Sequence, residues 1–172
     1  VRVVLNGFRP SYSFRRLIRK NADLIGTQCP PETGREQYDL LRRYLDARHE
    51  HGGMADMAPS DYVAMVEETA VDTFVMEYRT PDGELIACLL ADRMQDGISL
   101  VYSFFDPRAE KRSLGSFMIL DQIARAQETN AAHVYLGYLI EDCRKMAYKK
   151  RFAPLQKLGQ NGWENYILPR AK

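Results

Sequence analysis

The chain has 172 residues, 45% of them hydrophobic and 27% charged, with 24 Lys and Arg against 23 Asp and Glu for a formal net charge of +1. That is enough chain for one domain with a proper core, and a balance that excludes a general polycation wrapping nucleic acid. No apolar run approaches the roughly eighteen residues of a membrane span and no secretory signal opens the chain, which begins at Val1 and reads as cut from something longer.

Residues 1–35 carry strand-like VRVVL, a basic segment with Arg9, Arg15, Arg16, Arg19 and Lys20, a Cys29-Pro30-Pro31 break and Gly34. They read as a connector that packs on the domain formed by residues 36–172. From Glu36 the period turns helical through Tyr38, Leu41, Leu45 and Arg48, with Gly52-Gly53 as its stop and Ser60 as the cap of a second helix. Three strands follow, at 72–79, 83–93 and 98–105. The first turn between them is Thr80-Pro81-Asp82-Gly83, the second contains Asp96-Gly97, and together they predict an antiparallel meander. Asp106-Pro107 ends the third strand. Ser113 is expected to cap a helix with Leu114, Phe117, Leu120 and Ala124 on one face. HVYLGYLI (133–140) should then return parallel to the preceding strand. Glu141 and Asp142 open a last helix with five cations between Arg144 and Arg151, and the tail after Pro154 reads as irregular, with Trp163 and Tyr166 covering an edge.

This order is that of the mixed α/β acyltransferase fold of the N-acetyltransferases, in which two central strands splay to admit the acyl donor. The segment Arg112-Ser113-Leu114-Gly115-Ser116 supplies what an anion needs: unpaired amides of a helix start, a glycine for close approach and a fixed cation. Phe117, where coenzyme A binders carry a small residue, argues against that cofactor. Tyr102, Phe104, Phe105, Tyr135 and Tyr138 line adjacent strands; the tyrosine hydroxyls need partners and suit a pocket wall. Gly137 interrupts a strand where a backbone must be approached closely. His49 and His51 have no third ligand in view, and Cys29, Cys88 and Cys143 are widely spaced, so no metal site is expected.

The segments VYSFFDP (101–107), SLGSFMIL (113–120) and YLGYLIEDCRKMAYKKRFAPL (135–155), with YLDARHEHGGM (44–54) more loosely, resemble the arginyl- and leucyl-tRNA–protein transferases, closest to the bacterial leucyl branch. The Cys143, Lys145, Met146, Tyr148 and Lys149 core is the most specific part. The resemblance implies transfer of leucine, or arginine, from its tRNA to an N-terminal Asp or Glu of a protein. It further implies a cytoplasmic N-degron role with no membrane or DNA partner. The metal, iron–sulfur or haem site associated with the family belongs to a cysteine-rich N-terminal region that this chain lacks, so no cofactor is expected here. Asp106 is the candidate base, with Tyr102 and Tyr138 beside it as catalytic candidates. Arg48, His49, Lys145 and Lys149 are candidates for the acidic acceptor, and Arg112, Ser113, Gly115, Arg15 and Arg16 for donor phosphates. A coenzyme A-dependent N-acetyltransferase and a non-catalytic binder of acidic N-termini stay open as alternatives.

Overall fold

The computed structural model describes residues 1–48, 57–140 and 143–167; the side chains of Arg48 and Lys145 are not described. The meander forms as its turn residues dictate. Strands β3 (Thr73–Arg79), β4 (Leu85–Met94) and β5 (Gly97–Phe105) pair antiparallel, with Gly83 at φ +88° closing the first turn through its amide on the Thr80 carbonyl. Around them β1 (Arg2–Val4), β2 (Ile25–Cys29), β6 (His133–Tyr135), β7 (Leu155–Gly159) and β8 (Gly162–Asn165) complete a sheet in the order β2-β3-β4-β5-β6-β1-β7-β8. Only β5 and β6 pair in parallel, as the helical crossover between them requires.

Helices cover both faces of the sheet. On one side α2 (Arg35–Arg48) and α3 (Pro59–Glu67) bury Leu40, Leu41, Leu45, Tyr62 and Val66 against Val75, Cys88, Leu90 and Phe104. On the other, α4 (Leu114–Glu128) lays Leu114, Phe117 and Met118 on Met76, Tyr78, Leu89 and Phe105. The far end of α4 meets α1 (Tyr12–Lys20) over Val3, Val134 and Leu155, with Phe14 stacked 4.8 Å from Phe152. Each fully buried Leu or Phe in these layers contributes about 1.5–3 kcal/mol relative to leaving it in water.

Several sequence expectations shift. Residues 1–35 supply two strands and a helix of this fold, with β1 seated between β6 and β7. Arg2 pins it there: its guanidinium donates to Gln156 Oε1 (2.9 Å) and the Tyr135 hydroxyl (3.0 Å) and lies 4.2 Å over Trp163. The tail is the β7–β8 hairpin, not an irregular cover. The expected strand 133–140 stops at Tyr135, because Gly137 takes φ +74° and turns the chain out of the sheet. Helix α3 begins at Pro59, and the Asp61 carboxylate, not Ser60, accepts the Ala58 amide (2.8 Å). Ala124 is exposed, and the buried side of α4 runs instead through Gln122, Ile123 and Ala126. The cationic segment Arg144–Phe152 is a 3₁₀ helix. The expected stop at Gly52-Gly53 and the helix opening at Glu141 and Asp142 lie outside the described residues.

The β5–β6 junction admits no side chain at its start. A Cβ built on Gly97 would stand 2.0 Å from the His133 carbonyl oxygen. Gly97→Ala should therefore force the two strands apart and cost about 3 kcal/mol or more in urea unfolding. A loss below 1 kcal/mol, on the order of an ordinary surface change, would mean that the strands separate freely.

Candidate acyl-transfer site

Strands β5 and β6 pair only over Gly97–His133, Ile98–Val134 and Ser99–Tyr135. Beyond that point they part, and β5 runs on to Phe105 with β4 as its strand partner among the described residues. A cleft of about 190 Å³ opens between them, walled by Leu100, Val101, Tyr102 and Ser103 of β5 and by Gly115, Met118 and Ile119 of α4. Leu89, Leu136, Tyr148 and Lys149 complete it. That is smaller than the roughly 300–1,000 Å³ of sites that enclose a drug-sized ligand, and suits one small group.

A bulge aims the wall. Leu90 faces Tyr102 while Ala91 faces Leu100, which leaves Val101 as the extra residue in β5. Strand neighbours on β4 point to opposite faces, so Leu100 goes to the α4 side and Tyr102 joins Phe104 on the α2 side. Tyr102 thereby lines the cleft while its hydroxyl oxygen is shielded from solvent, with no hydrogen-bond partner among the described residues. Burial and the neighbouring Tyr44 push its pKa up to about 12, so the phenol keeps its proton.

Lys149 is the one cation among the described lining residues. Its ammonium donates to the carbonyls of Leu136 (2.6 Å) and Tyr138 (2.7 Å), on either side of Gly137. Desolvation lowers its pKa. Two of its three protons are thus committed to backbone, and it is held at the parted strand instead of reaching out as a free carboxylate receptor. Tyr148 stands beside it, 40% exposed, with its pKa raised by burial.

The other candidates fall elsewhere. Asp106 is buried and does not line the cleft. It caps the 3₁₀ segment Pro107–Arg112 by accepting the Arg108 amide (2.8 Å), and takes the Arg108 guanidinium on both oxygens (3.0, 3.0 and 2.6 Å). Arg108 holds its carboxyl below the usual range, which makes it a poor proton acceptor. Arg112 is bidentate to Asp23 (3.0 and 2.8 Å), so its charge is spent. Ser113 adopts φ +51° and caps nothing with its hydroxyl; its carbonyl accepts the Ser116 and Phe117 amides. Gly115 does line the cleft, and its bare Cα lets α4 settle on Phe105, whose ring would be 3.4 Å from an added Cβ. Phe117 packs edge-on 5.7 Å from Tyr78 in the core, so its bulk does not obstruct the helix start and is no argument against coenzyme A. Tyr138 is 86% exposed and outside the lining; only its carbonyl serves the site, through Lys149. His49 and the side chains of Arg48 and Lys145 lie outside the described residues.

A second concavity lies at the start of α4, with Ser113 in its lining two residues before Gly115 of the cleft. Ser13, Arg16, Leu17, Arg19 and Lys20 of α1 face Lys111 and Ser113, with no carboxylate in the lining. Lys20 donates to the Lys111 carbonyl, which holds the two segments together. Arg15, by contrast, turns back to the Pro10 carbonyl (2.8 Å). Sequence reasoning missed Lys111 and Tyr148 as site residues; both sit inside motifs already singled out, but neither carries a spacing signal of its own.

The pattern of the arginine-tRNA–protein transferase C terminus matches residues 36–159, which contain every wall of the cleft. The chain belongs to that family. The aspartate/glutamate leucyltransferase of Parvibaculum lavamentivorans is 54% identical over 95% of this chain and 68% of its own length. That of Mesorhizobium japonicum is 52% identical over 96% and 69%. Among solved structures, L-PGS from Bacillus licheniformis superposes with a TM-score of 0.66 at 14% identity, over 90% of this chain and 55% of that one. A Klebsiella pneumoniae protein assigned to the acyl-CoA N-acyltransferases gives 0.52 at 20% identity, over 81% and 88%. These likenesses show the fold, the N-acyltransferase-like one expected from the order of elements, and the family makes the protein an aminoacyltransferase.

Asp106→Asn should cost about 1–3 kcal/mol at pH 7, because Arg108 and a buried cap lose their anion. The wild-type carboxyl titrates below its unfolded value of about 3.9. Its stabilisation is therefore complete above that value and vanishes as pH falls through the depressed one. The difference in urea midpoint between wild type and variant should close in acid; a gap constant down to pH 2 would contradict the assignment.

Proposed function

We propose that this protein moves leucine from leucyl-tRNA to the N-terminal Asp or Glu of a protein in the cytoplasm, marking it for N-degron degradation. The observation that carries the choice of leucine is the lining of the cleft. Leu89, Leu100, Met118, Ile119 and Leu136 surround it, and its one charge is the Lys149 ammonium, with no carboxylate among the described lining residues. An aliphatic side chain gains there by leaving water, whereas an arginyl guanidinium would be buried beside a like charge. The names of the two relatives, each above 50% identity, point the same way.

The donor ester is already activated, so the protein's task is alignment, and fixing two reactants in attacking geometry supplies about 7–11 kcal/mol. The basic concavity of Arg16, Arg19, Lys20 and Lys111 fits phosphates of the acceptor arm, and its Ser113 stands two residues before Gly115 of the cleft, where the 3′ ester would turn inward. Arg48, His49 and Lys145 are proposed for the acceptor's side-chain carboxylate.

In a transfer assay, leucyl-tRNA with peptides beginning Asp or Glu should give product, and the same peptides beginning Ala should not. Arginyl-tRNA transferred as fast as leucyl-tRNA would overturn the leucine reading. The double variant Arg16→Gln/Arg19→Gln should raise the KM for charged tRNA and reduce the salt dependence of its binding by roughly one unit of slope per cation removed. The KM for the peptide should not move.

A further inference from the structure

We propose that the Tyr102 hydroxyl donates the hydrogen bond that holds the acyl carbonyl oxygen during transfer, with the remaining N–H of Lys149 as its companion donor. The inference rests on the aminoacyl-transfer reading above and gives its cleft a division of labour.

The case begins with a cost. Tyr102 lies among Phe104, Tyr62 and Tyr38, its ring 6.3 Å from that of Phe104 and on the same face. A phenylalanine would satisfy that packing. The hydroxyl is buried without a partner among the described residues, an arrangement that destabilises a fold by about 1–3 kcal/mol. The nearby tyrosines of the core do not share it: Tyr62 donates to Gln37 (2.9 Å), Tyr38 to the Met57 carbonyl (3.0 Å) and Tyr78 to Asp121 (2.8 Å). The orphan is also the one of these four that lines the cleft.

Its direction is built in. The Val101 bulge is what places Tyr102 opposite Leu90 instead of on the face of Leu100. Its raised pKa keeps the phenol protonated throughout the neutral range, so it acts as a donor and never as a base. Lys149 arrives from the other side of the split, two protons fixed on the Leu136 and Tyr138 carbonyls and the third without a partner among the described residues. The hydroxyl is covered in the free protein, so the entering acyl group must displace part of the lining, in which Tyr148 is 40% exposed.

The chemistry needs such donors more than a base. The acceptor's neutral α-amine attacks the ester carbon, a C–N bond forms, and the carbonyl π pair moves onto oxygen, where the two donors meet it. Collapse re-forms the carbonyl and breaks the bond to the terminal ribose oxygen, which takes the proton released by the amine. The products are an amide and a free tRNA 3′ end. No carboxylate or imidazole lies in the described lining to act as base, and the Lys149 charge beside the incoming amine favours its neutral, nucleophilic form.

Tyr102→Phe tests this in the whole protein with leucyl-tRNA and an Asp-initiated peptide. Loss of one oxyanion donor should lower kcat by about 100-fold or more. The KM of each substrate should stay within twofold, and the pH profile should keep its shape. Thermal stability should hold or rise, since no hydrogen bond of the free protein is lost. A variant kcat within threefold of wild type would overturn the proposal, as would a Tm several degrees lower, which would give the hydroxyl to the fold. Should wild type itself transfer nothing, the aminoacyl-transfer reading fails first and the inference with it.

Discussion

The backbone of residues 135–138 is the constraint on which the site depends. Backbone amides and carbonyls must be satisfied, and here the chain turns away from β5 with those groups held by other partners. The Leu136 amide goes to Val1, the Leu136 and Tyr138 carbonyls go to Lys149, and Gly137 turns to positive φ between them. The parallel pairing with β5 ends at Ser99–Tyr135, just before the turn at Gly137, and the strands open beyond it. Lys149 is both a wall of the cleft and a reason that the cleft exists.

Charge is sorted along the same line. Acidic groups near the site are neutralised locally: Asp106 by Arg108, Asp23 by Arg112 and Asp96 by Arg2. What is left over is cationic, at Lys149 inside and along α1 and Lys111 outside. Phosphate recognition and bond making are thus separated by the first turn of α4, with Gly115 on the inner side of it. This resembles the use of a helix start by other phosphate-bearing acyl donors, but the anion-binding charge comes from α1 and Lys111, because Arg112 is already taken.

The meander and the crossover were legible in the sequence because local signals fix them. Alternating apolar residues, Thr80-Pro81-Asp82-Gly83 and Asp96-Gly97 act over a few residues. The split, by contrast, came only from the likeness of element order to the acyltransferase fold, and the strand expected over 133–140 hid where it begins. The hairpin of β7 and β8 was not legible, since Leu155 is buried while Leu158 is 66% exposed and no alternation marks the strands. Nor was the seat of β1, whose partners lie more than a hundred residues away. Cations illustrate the same limit. Arg112 and Lys149 look alike in a basic cluster, yet one is quenched by Asp23, 89 positions distant, and the other is fixed on carbonyls of the split strand. Tyr102 was visible as a tyrosine in a strand of aromatics; that its hydroxyl goes unpartnered is a fact of packing.

The central claim is that the parted strands β5 and β6 receive the acyl end of the donor. A crystal structure of the protein with a non-hydrolysable leucyl-adenosine, amide-linked at the 3′ position, tests it most directly. The account predicts the leucyl side chain among Leu100, Met118 and Ile119, its carbonyl oxygen within hydrogen-bond distance of Tyr102 and Lys149, and the adenosine near Ser113. Density for the analogue on the open face of β1, β7 and β8, with the cleft between the split strands unchanged, would contradict it.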